Sequence, residues 1–201
     1  MDSSLDIRVL HGPDIGPWLA DVARLRVAVF RDWPYLYEGD FDYERDYLAA
    51  YAASPRSVFV LATDRDRVIG ASTGLPLLDG GEAFRLPFRG SEIAPGDVFY
   101  FGESVLLPDY RGRGIGHAFF DRREAHARAL GGFRWTAFCA VDRESDDPRR
   151  PAAHRGNDAF WHKRGYRRSA GMTMQLDWNE IGRGEIPHAL TFWLRPLEAT
   201  P

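Results

Sequence analysis

Between Arg111 and Gly116 the chain reads Arg-Gly-Arg-Gly-Ile-Gly, and eight residues before Arg111 an apolar run carries a single carboxylate, Glu103. Glycines at the junction of a strand and a helix let the backbone approach a ligand, because no Cβ intervenes. The free N–H groups of the first helical turn and the positive end of the helix dipole then favour an anion, and a pyrophosphate is the natural guest. Two other anion motifs fail on residue identity. The Lys-Ser/Thr of a P-loop is absent, and counting from Gly112 and Gly114 puts His117 where a dinucleotide fingerprint needs its third glycine. Period-two alternation places Glu103 on one strand face with Phe99, Phe101, Val105 and Leu107. A carboxylate among such neighbours is expected to have a raised pKa, which suits a base working near neutrality; the alternative is a buried carboxylate paired with an arginine such as Arg122.

The elements that must hold these residues follow from the periodicities. Leu5–Leu10 alternates as a short strand, and Asp14 is placed to cap a helix with Trp18, Val22, Leu25 and Val29 on one stripe. A second helix is expected from Asp42. Ser57–Thr63 and Val68–Leu75 flank the polar Asp64-Arg-Asp-Arg and predict a hairpin. The long connection Asp79–Asp97 carries Phe84, Leu86, Phe88 and Ile93, so it should pack on the body. Val98–Leu107 reads as a central strand, Gly114–Leu130 as a helix whose apolar stripe is interrupted by Arg122, and Phe133–Val141 as another strand. A short helix over Asn157–Arg164 precedes a strand pair, Tyr166–Trp178 and Pro187–Arg195. The order β-α-α-β-β-β-α-β-α-β-β makes a mixed α/β (α+β) fold, expected as one domain over residues 1–201.

The formal net charge of -3 lacks the basic excess of a nucleic-acid-binding domain. With one cysteine, Cys139, the chain can form neither an internal disulfide nor a multi-cysteine metal cage, and the histidines show no metal-site spacing, so no metal is expected. Cys139 reads as a small core side chain, and His117 and His126 as solvent-facing. Met1-Asp-Ser-Ser-Leu-Asp lacks the start of a signal peptide and no apolar stretch approaches the ~20 residues of a membrane span, so the expectation is a cytoplasmic protein with neither membrane nor nucleic acid as partner.

With the strand, the turn and the element order in view, the sequence resembles the GNAT superfamily, the GCN5-related N-acetyltransferases. Arg111, Gly114 and Gly116 match its Arg/Gln-x-x-Gly-x-Gly/Ala signature, and Glu103-Ser-Val-Leu-Leu-Pro-Asp-Tyr-Arg111 looks like the strand and turn that lead into it. The resemblance covers about Leu5–Leu197. It implies a mostly antiparallel sheet of about seven strands and about four helices, with strands four and five splayed around the pantetheine arm of acetyl-CoA. Backbone groups of Val105, Leu106 and Leu107 would pair with that arm. The N–H groups of Arg111, Gly112, Arg113, Gly114, Ile115 and Gly116 would hold the pyrophosphate, with Asn157 and Phe160 as further contacts. Glu103 would act as the base that deprotonates a primary amine of a small molecule or peptide, and a strand bulge around Val105 or Leu106 would supply a backbone N–H to the carbonyl oxygen.

Two positions depart from the family pattern. The tyrosine expected to protonate the leaving thiolate is Trp161, leaving Tyr100, Ser104 or water to assist or the thiolate to depart unprotonated, and an expected asparagine is His154. The resemblance also implies that the stretch between the first two helices lines the acceptor pocket. There Tyr35, Tyr37 and Glu38, with Asp40, Asp42 and Glu44, combine aromatic faces with carboxylates and suit a cationic amine as well as they suit a solvated loop. In the loop Asp142–Gly156, Arg143, Arg149, Arg150 and Arg155 could bind a phosphate or carboxylate of cofactor or substrate, but Asp142, Glu144, Asp146 and Asp147 beside them make surface ion pairs the better reading. Phe192 and Trp193 offer material for a homodimer contact. Against the acetyltransferase stand a coenzyme-binding regulatory module without turnover and a transferase of a longer acyl group.

Overall fold

The computed structural model describes residues 5–198; the Met1–Ser4 part of the N-terminal stretch read above lies outside them. Seven strands form one sheet in the order β1-β2-β3-β4-β5-β7-β6, with β1 Leu5–His11, β2 Val58–Asp64, β3 Arg67–Pro76, β4 Val98–Leu106, β5 Trp135–Val141, β6 Arg167–Glu180 and β7 Gly184–Pro196. Every neighbouring pair is antiparallel except β4 with β5. Helices α1 (Leu19–Phe30) and α2 (Phe41–Ala52) cover one face, and α4 (Ile115–Leu130) covers the other. Strand β2 is buried from both sides: Phe59 and Leu61 pack under α1 and α2, and Val58, Val60 and Ala62 under α4. The long connection folds into 3-10 turns and a single helical turn, α3 (Glu82–Arg85). Phe88 within it and Leu77 just before it are buried with Tyr100 and Phe192, Phe84 and Ile93 pack beside them, and Leu86, expected on the body, is exposed.

Several local expectations change. Asp14 lies in a 3-10 turn, Gly12–Trp18, that precedes α1, and makes no side-chain cap. Asp40 rather than Asp42 caps α2, its carboxylate accepting the Tyr43 N–H at 2.7 Å. The buried arginine of α4 is Arg123, not Arg122: it is 1% exposed and shares the inner face with Ile115, Phe119, Phe120 and Ala127. Phe192 and Trp193 are buried inside the chain's own core, so they are not free to form a dimer contact. His126 is half-buried, stacked on His11 with ring centroids 4.7 Å apart and bonded to the Arg56 carbonyl. No helix among the described residues is long and apolar enough to cross a membrane.

Two irregularities in β4 shape the rest. Its parallel pairing with β5 covers only Val98–Tyr100 against Trp135–Ala137, so the two strands part beyond Tyr100. On the β3 side, two residues of β4, Gly102 and Glu103, stand opposite the single Thr73. This bulge breaks the period-two alternation. Phe99 and Phe101 face α4, but Glu103 and Val105 face α1 and α2. The expected common face for these four residues is therefore wrong, and the bulge sits at 102–103 rather than at Val105 or Leu106.

Candidate active site

The bulge delivers Glu103 to the helical pair on its side of the sheet. Glu103 is 8% exposed, and its Oε2 lies 2.6 Å from Arg26 Nη1 of α1. Arg26 Nε in turn donates to Glu44 of α2, and its guanidinium lies 4.9 Å from the Phe30 ring and 4.6 Å from the Tyr47 ring. Burial works against the charge on Arg26, yet Glu103, Tyr47 and Glu44 together raise its pKa above the ordinary value. The arginine that partners Glu103 is thus Arg26 of α1, not Arg122, which is exposed on α4. Around them stand Tyr35, Tyr47 and Tyr51, all pushed above the usual phenol value, by burial first, and so protonated. The Tyr47 hydroxyl donates to that of Tyr51 at 2.9 Å. Glu103 Oε1 is buried and has no protein partner among the described residues.

Gly102 lets this arrangement close. A Cβ there would collide with Thr73 Oγ1 and lie 3.1 Å from the Tyr51 hydroxyl. From the α4 side, Arg123 braces the same bulge, donating to the carbonyls of Thr73 (3.1 Å), Glu103 (3.2 Å) and Phe119 (3.1 Å) and to Ser104 Oγ (2.8 Å). Burial lowers the Arg123 pKa to about 10, so it stays charged at neutral pH.

Past the bulge, β4 runs on as the open edge of the gap. Leu107 N–H donates to the Ile69 carbonyl on β3 at 3.0 Å, so ladder alternation turns the peptide groups of Leu106 towards the gap and those of Val105 and Leu107 towards β3. The strand ends in the glycine corner. Gly112 (φ 76°) and Gly114 (φ 83°) occupy the left-handed region that glycine alone takes without strain, and a Cβ at either would have no neighbour within 4 Å. At Gly116 an added Cβ would meet only Phe160, at 3.5 Å. The first α4 backbone bond runs from Ala118 to the Gly114 carbonyl, which leaves the N–H groups of Ile115, Gly116 and His117 without an intrahelical partner. Arg111 and Arg113 buttress the turn through the carbonyls of Leu106 (3.3 Å) and Asp109 (2.9 Å). The corner is an open cradle of backbone donors, the shape and chemistry a diphosphate requires.

The model of the Acetyltransferase (GNAT) family matches residues 23–156, well over half of the chain. The chain belongs to this family. Solved structures agree on the fold. An acetyltransferase from Streptococcus agalactiae aligns at TM-score 0.60 and 14% identity, over 98% of this chain and 99% of that one. The ribosomal-protein-S18-alanine N-acetyltransferase of Escherichia coli aligns at TM-score 0.58 and 11% identity, over 98% and 96%. Salmonella typhimurium yncA, solved with its cofactor acetyl-CoA, aligns at TM-score 0.56 and 14% identity, again over 98% and 96%. No curated protein matches the sequence.

Trp161 of α5 (Asp158–Lys163) packs between Phe138 and Trp193, with ring centroids 5.0 Å away on each side. Of the other candidate acids, Ser104 faces α4 and accepts from Arg123, while Tyr100 is bonded to Cys139 Sγ at 3.0 Å, across the point where β4 and β5 begin to part. Burial pushes the Cys139 thiol up to about 11, which leaves it protonated and a poor nucleophile.

The residues of the loop between α1 and α2 divide into those packed near Glu103 and those that are not. Tyr35 lies against Phe30 (4.5 Å) and near Arg26 and Glu103; Tyr37 reaches Glu44; Glu38 and Asp42 are exposed. Arg143 and Arg149, expected at the surface, instead converge on Glu180, which is fully buried at the end of β6. Arg143 also donates to the carbonyls of Pro34 (2.6 Å) and Tyr35 (2.9 Å), so one guanidinium ties the 142–156 loop, the α1–α2 loop and β6 together. Arg150 bonds the Ser145 carbonyl. His154 lies edge-on to Trp33, and Asn157 caps α5 without a side-chain bond.

Proposed function

We propose that this acetyltransferase moves an acetyl group from acetyl-CoA to a primary amine of a small molecule or peptide by direct attack, with Glu103 as the base. The observation that carries this reading is the run of β4 from a bulge presenting one free, buried carboxylate oxygen, through a strand edge parted from β5, to a glycine corner with unpaired N–H groups. The residues fit the coenzyme. The N–H groups from Gly112 to Gly116 hold its diphosphate, Leu106 offers peptide groups to its pantetheine arm, and Phe160 closes the far side of Gly116. When bound, acetyl-CoA supplies an activated thioester carbonyl. The chain supplies the rest: Glu103 Oε1 takes the proton from the amine so that the nitrogen keeps its lone pair, and the bulged strand fixes where that oxygen points.

The test pairs calorimetry with coenzyme A and thiol release from acetyl-CoA over an amine panel. Glu103→Gln should lower turnover by about 10²-fold or more, the range for a lost general base, with coenzyme affinity nearly unchanged. Wild-type rates across the pH range would remove Glu103 from this role. The packing of Trp161 into the aromatic core, with no phenol in its place, favours one second reading, a coenzyme-binding module without turnover. Tight coenzyme binding with no thiol release from any amine would select it.

A further inference from the structure

Strand β6 is an edge of the sheet. Among the described residues it ladders with β7 alone, except at its far end, where Tyr37 bridges Glu180 and the Glu38 N–H donates to the Asn179 carbonyl at 2.8 Å. The direction of each β6 peptide group follows from its neighbours. Asp142 N–H donates to the Ala189 carbonyl, so Ala189 looks towards β5, and the next residue, Leu190, looks towards its β6 partner Met174. The register from Thr173 to Glu180 is unbroken, so Thr173, Gln175 and Asp177 turn both N–H and C=O away from β7. Two further observations agree. Asn179, of the same parity, gives its carbonyl to Glu38, and Pro187, which has no N–H, stands opposite Asp177. Sheets commonly blunt such an edge with lysine, proline or a bulge. The β6 bulge lies between Arg168 and Thr173, and the segment after it is regular and carries neither lysine nor proline.

We propose that the Thr173–Asp177 edge of β6 is an interface with a second copy of this chain, the two strands running antiparallel about a two-fold axis at Gln175. Such an interface needs a self-complementary surface, and this segment has one. With Gln175 opposite its own copy, Thr173 falls opposite the partner's Asp177, and every outward N–H and C=O of these residues gains a partner. On the exposed face the neutral Thr173 meets the Asp177 carboxylate and the two Gln175 amides meet each other, so no like charges are opposed. On the other face Met174 falls opposite the partner's Leu176, and Met172 opposite the partner's Trp178. Leu86, exposed in the connection that packs on β6, lies on this apolar side. The axis is perpendicular to the sheet and keeps the apolar faces of both copies together. The contact is bounded at both ends: Tyr37 and Glu38 occupy the edge at Asn179 and Glu180, and the bulge turns the chain aside before Thr173. The sheet then runs continuously through two copies, whatever group the enzyme transfers.

Sedimentation of the purified chain across the micromolar range, read together with amide hydrogen exchange, tests this interface. The wild type should pass from monomer to dimer, and the amides of Thr173, Gln175 and Asp177 should exchange more slowly as the dimer fills. Gln175→Pro removes an outward N–H that the β7 ladder does not use, so it should give a folded monomer with a near-wild-type melt. Thr173→Asp sets like charges opposite each other twice in the dimer and should weaken it on the order of tenfold. Adding Asp177→Lys to Thr173→Asp should restore the dimer, because each pair then carries opposite charges. A wild type that stays monomeric throughout overturns the proposal. So does a dimer that Gln175→Pro and Thr173→Asp leave intact, or a double variant that associates no better than Thr173→Asp alone. Protection of these amides by an added extended peptide, with the chain itself monomeric, would give the edge to another occupant and likewise overturn it. Should Gln175→Pro fail to fold, Thr173→Asp and its rescue still decide the matter.

Discussion

Gly114→Ala separates what the glycine corner does for folding from what it does for the coenzyme. Gly114 sits at φ 83°, where an alanine is strained by about 1–2 kcal/mol. No atom lies within 4 Å of the added Cβ, so no packing penalty follows. At roughly 2–4 °C per kcal/mol for a chain of this size, Tm should fall by about 2–8 °C and the protein should stay folded. The coenzyme should feel far more. A methyl group over the cradle holds the diphosphate away from backbone donors, and two lost bonds to a charged group at about 1.5 kcal/mol each amount to about 3 kcal/mol, or roughly a hundredfold in Kd. Gly132→Ala is the matched control: φ is 80°, nothing lies within 4 Å, and it is at the other end of α4, about 24 Å along the helix. Calorimetry with coenzyme A and a thermal melt on both variants decide the matter. Equal losses of Tm with equal, near-wild-type Kd values would refute a diphosphate site at this corner.

Other outcomes follow from the braces around β4. Gly102→Ala must displace Thr73 or Tyr51, so turnover should fall at least tenfold while coenzyme affinity changes little; an unchanged rate would show that the bulge does not position Glu103. Arg123→Met leaves three carbonyls and Ser104 Oγ without their donor and should cost about 2–4 kcal/mol in urea unfolding, with an unmoved midpoint counting against the brace. His126, His154 and His188 are held below the ordinary histidine pKa, by burial first in each case. The unfolded chain takes up protons at about pH 6.5, before these folded histidines do, so stability should be full above that value and fall as pH drops through it. Urea midpoints at pH 7.5 and 5.5 test this, and a flat or rising stability would contradict it.

The glycine corner, the hairpin over β2 and β3, the two-helix cover and the closing strand pair were legible because local chemistry writes them: left-handed turns need glycine, and apolar periodicity survives in short windows. The bulge escaped because Val98–Leu107 reads as one alternating apolar run. Gly102 in the middle of that strand was the available signal, since an interior glycine marks a bulge or a close backbone approach. The Arg26–Glu103–Glu44 cluster could not be read from spacing, as its members come from three elements and meet only in the folded sheet. Arg123 was missed for a different reason. A charged residue on an inner helix face looks like an interruption of the apolar stripe until the carbonyls that receive it are known. The Arg143 and Arg149 grip on Glu180 was hidden in the same way, inside a loop whose mixed charges suggested ion pairs at the surface or an anion from cofactor or substrate.

The extra residue opposite Thr73 acts as a change of parity along β4. Before it, odd-numbered positions look at α4; after it, odd-numbered positions look at α1 and α2. One strand can therefore anchor its first half in the hydrophobic layer under α4 and still turn an acidic group to the opposite side, with the ladder to β3 interrupted only at Thr73. Regular pairing of the same residues, with one residue opposite Thr73, would undo that change. Gly102, Ser104 and Leu106 would then fall where Glu103 and Val105 now face, and the molecule could keep its sheet while turning Glu103 away from Arg26 and towards α4.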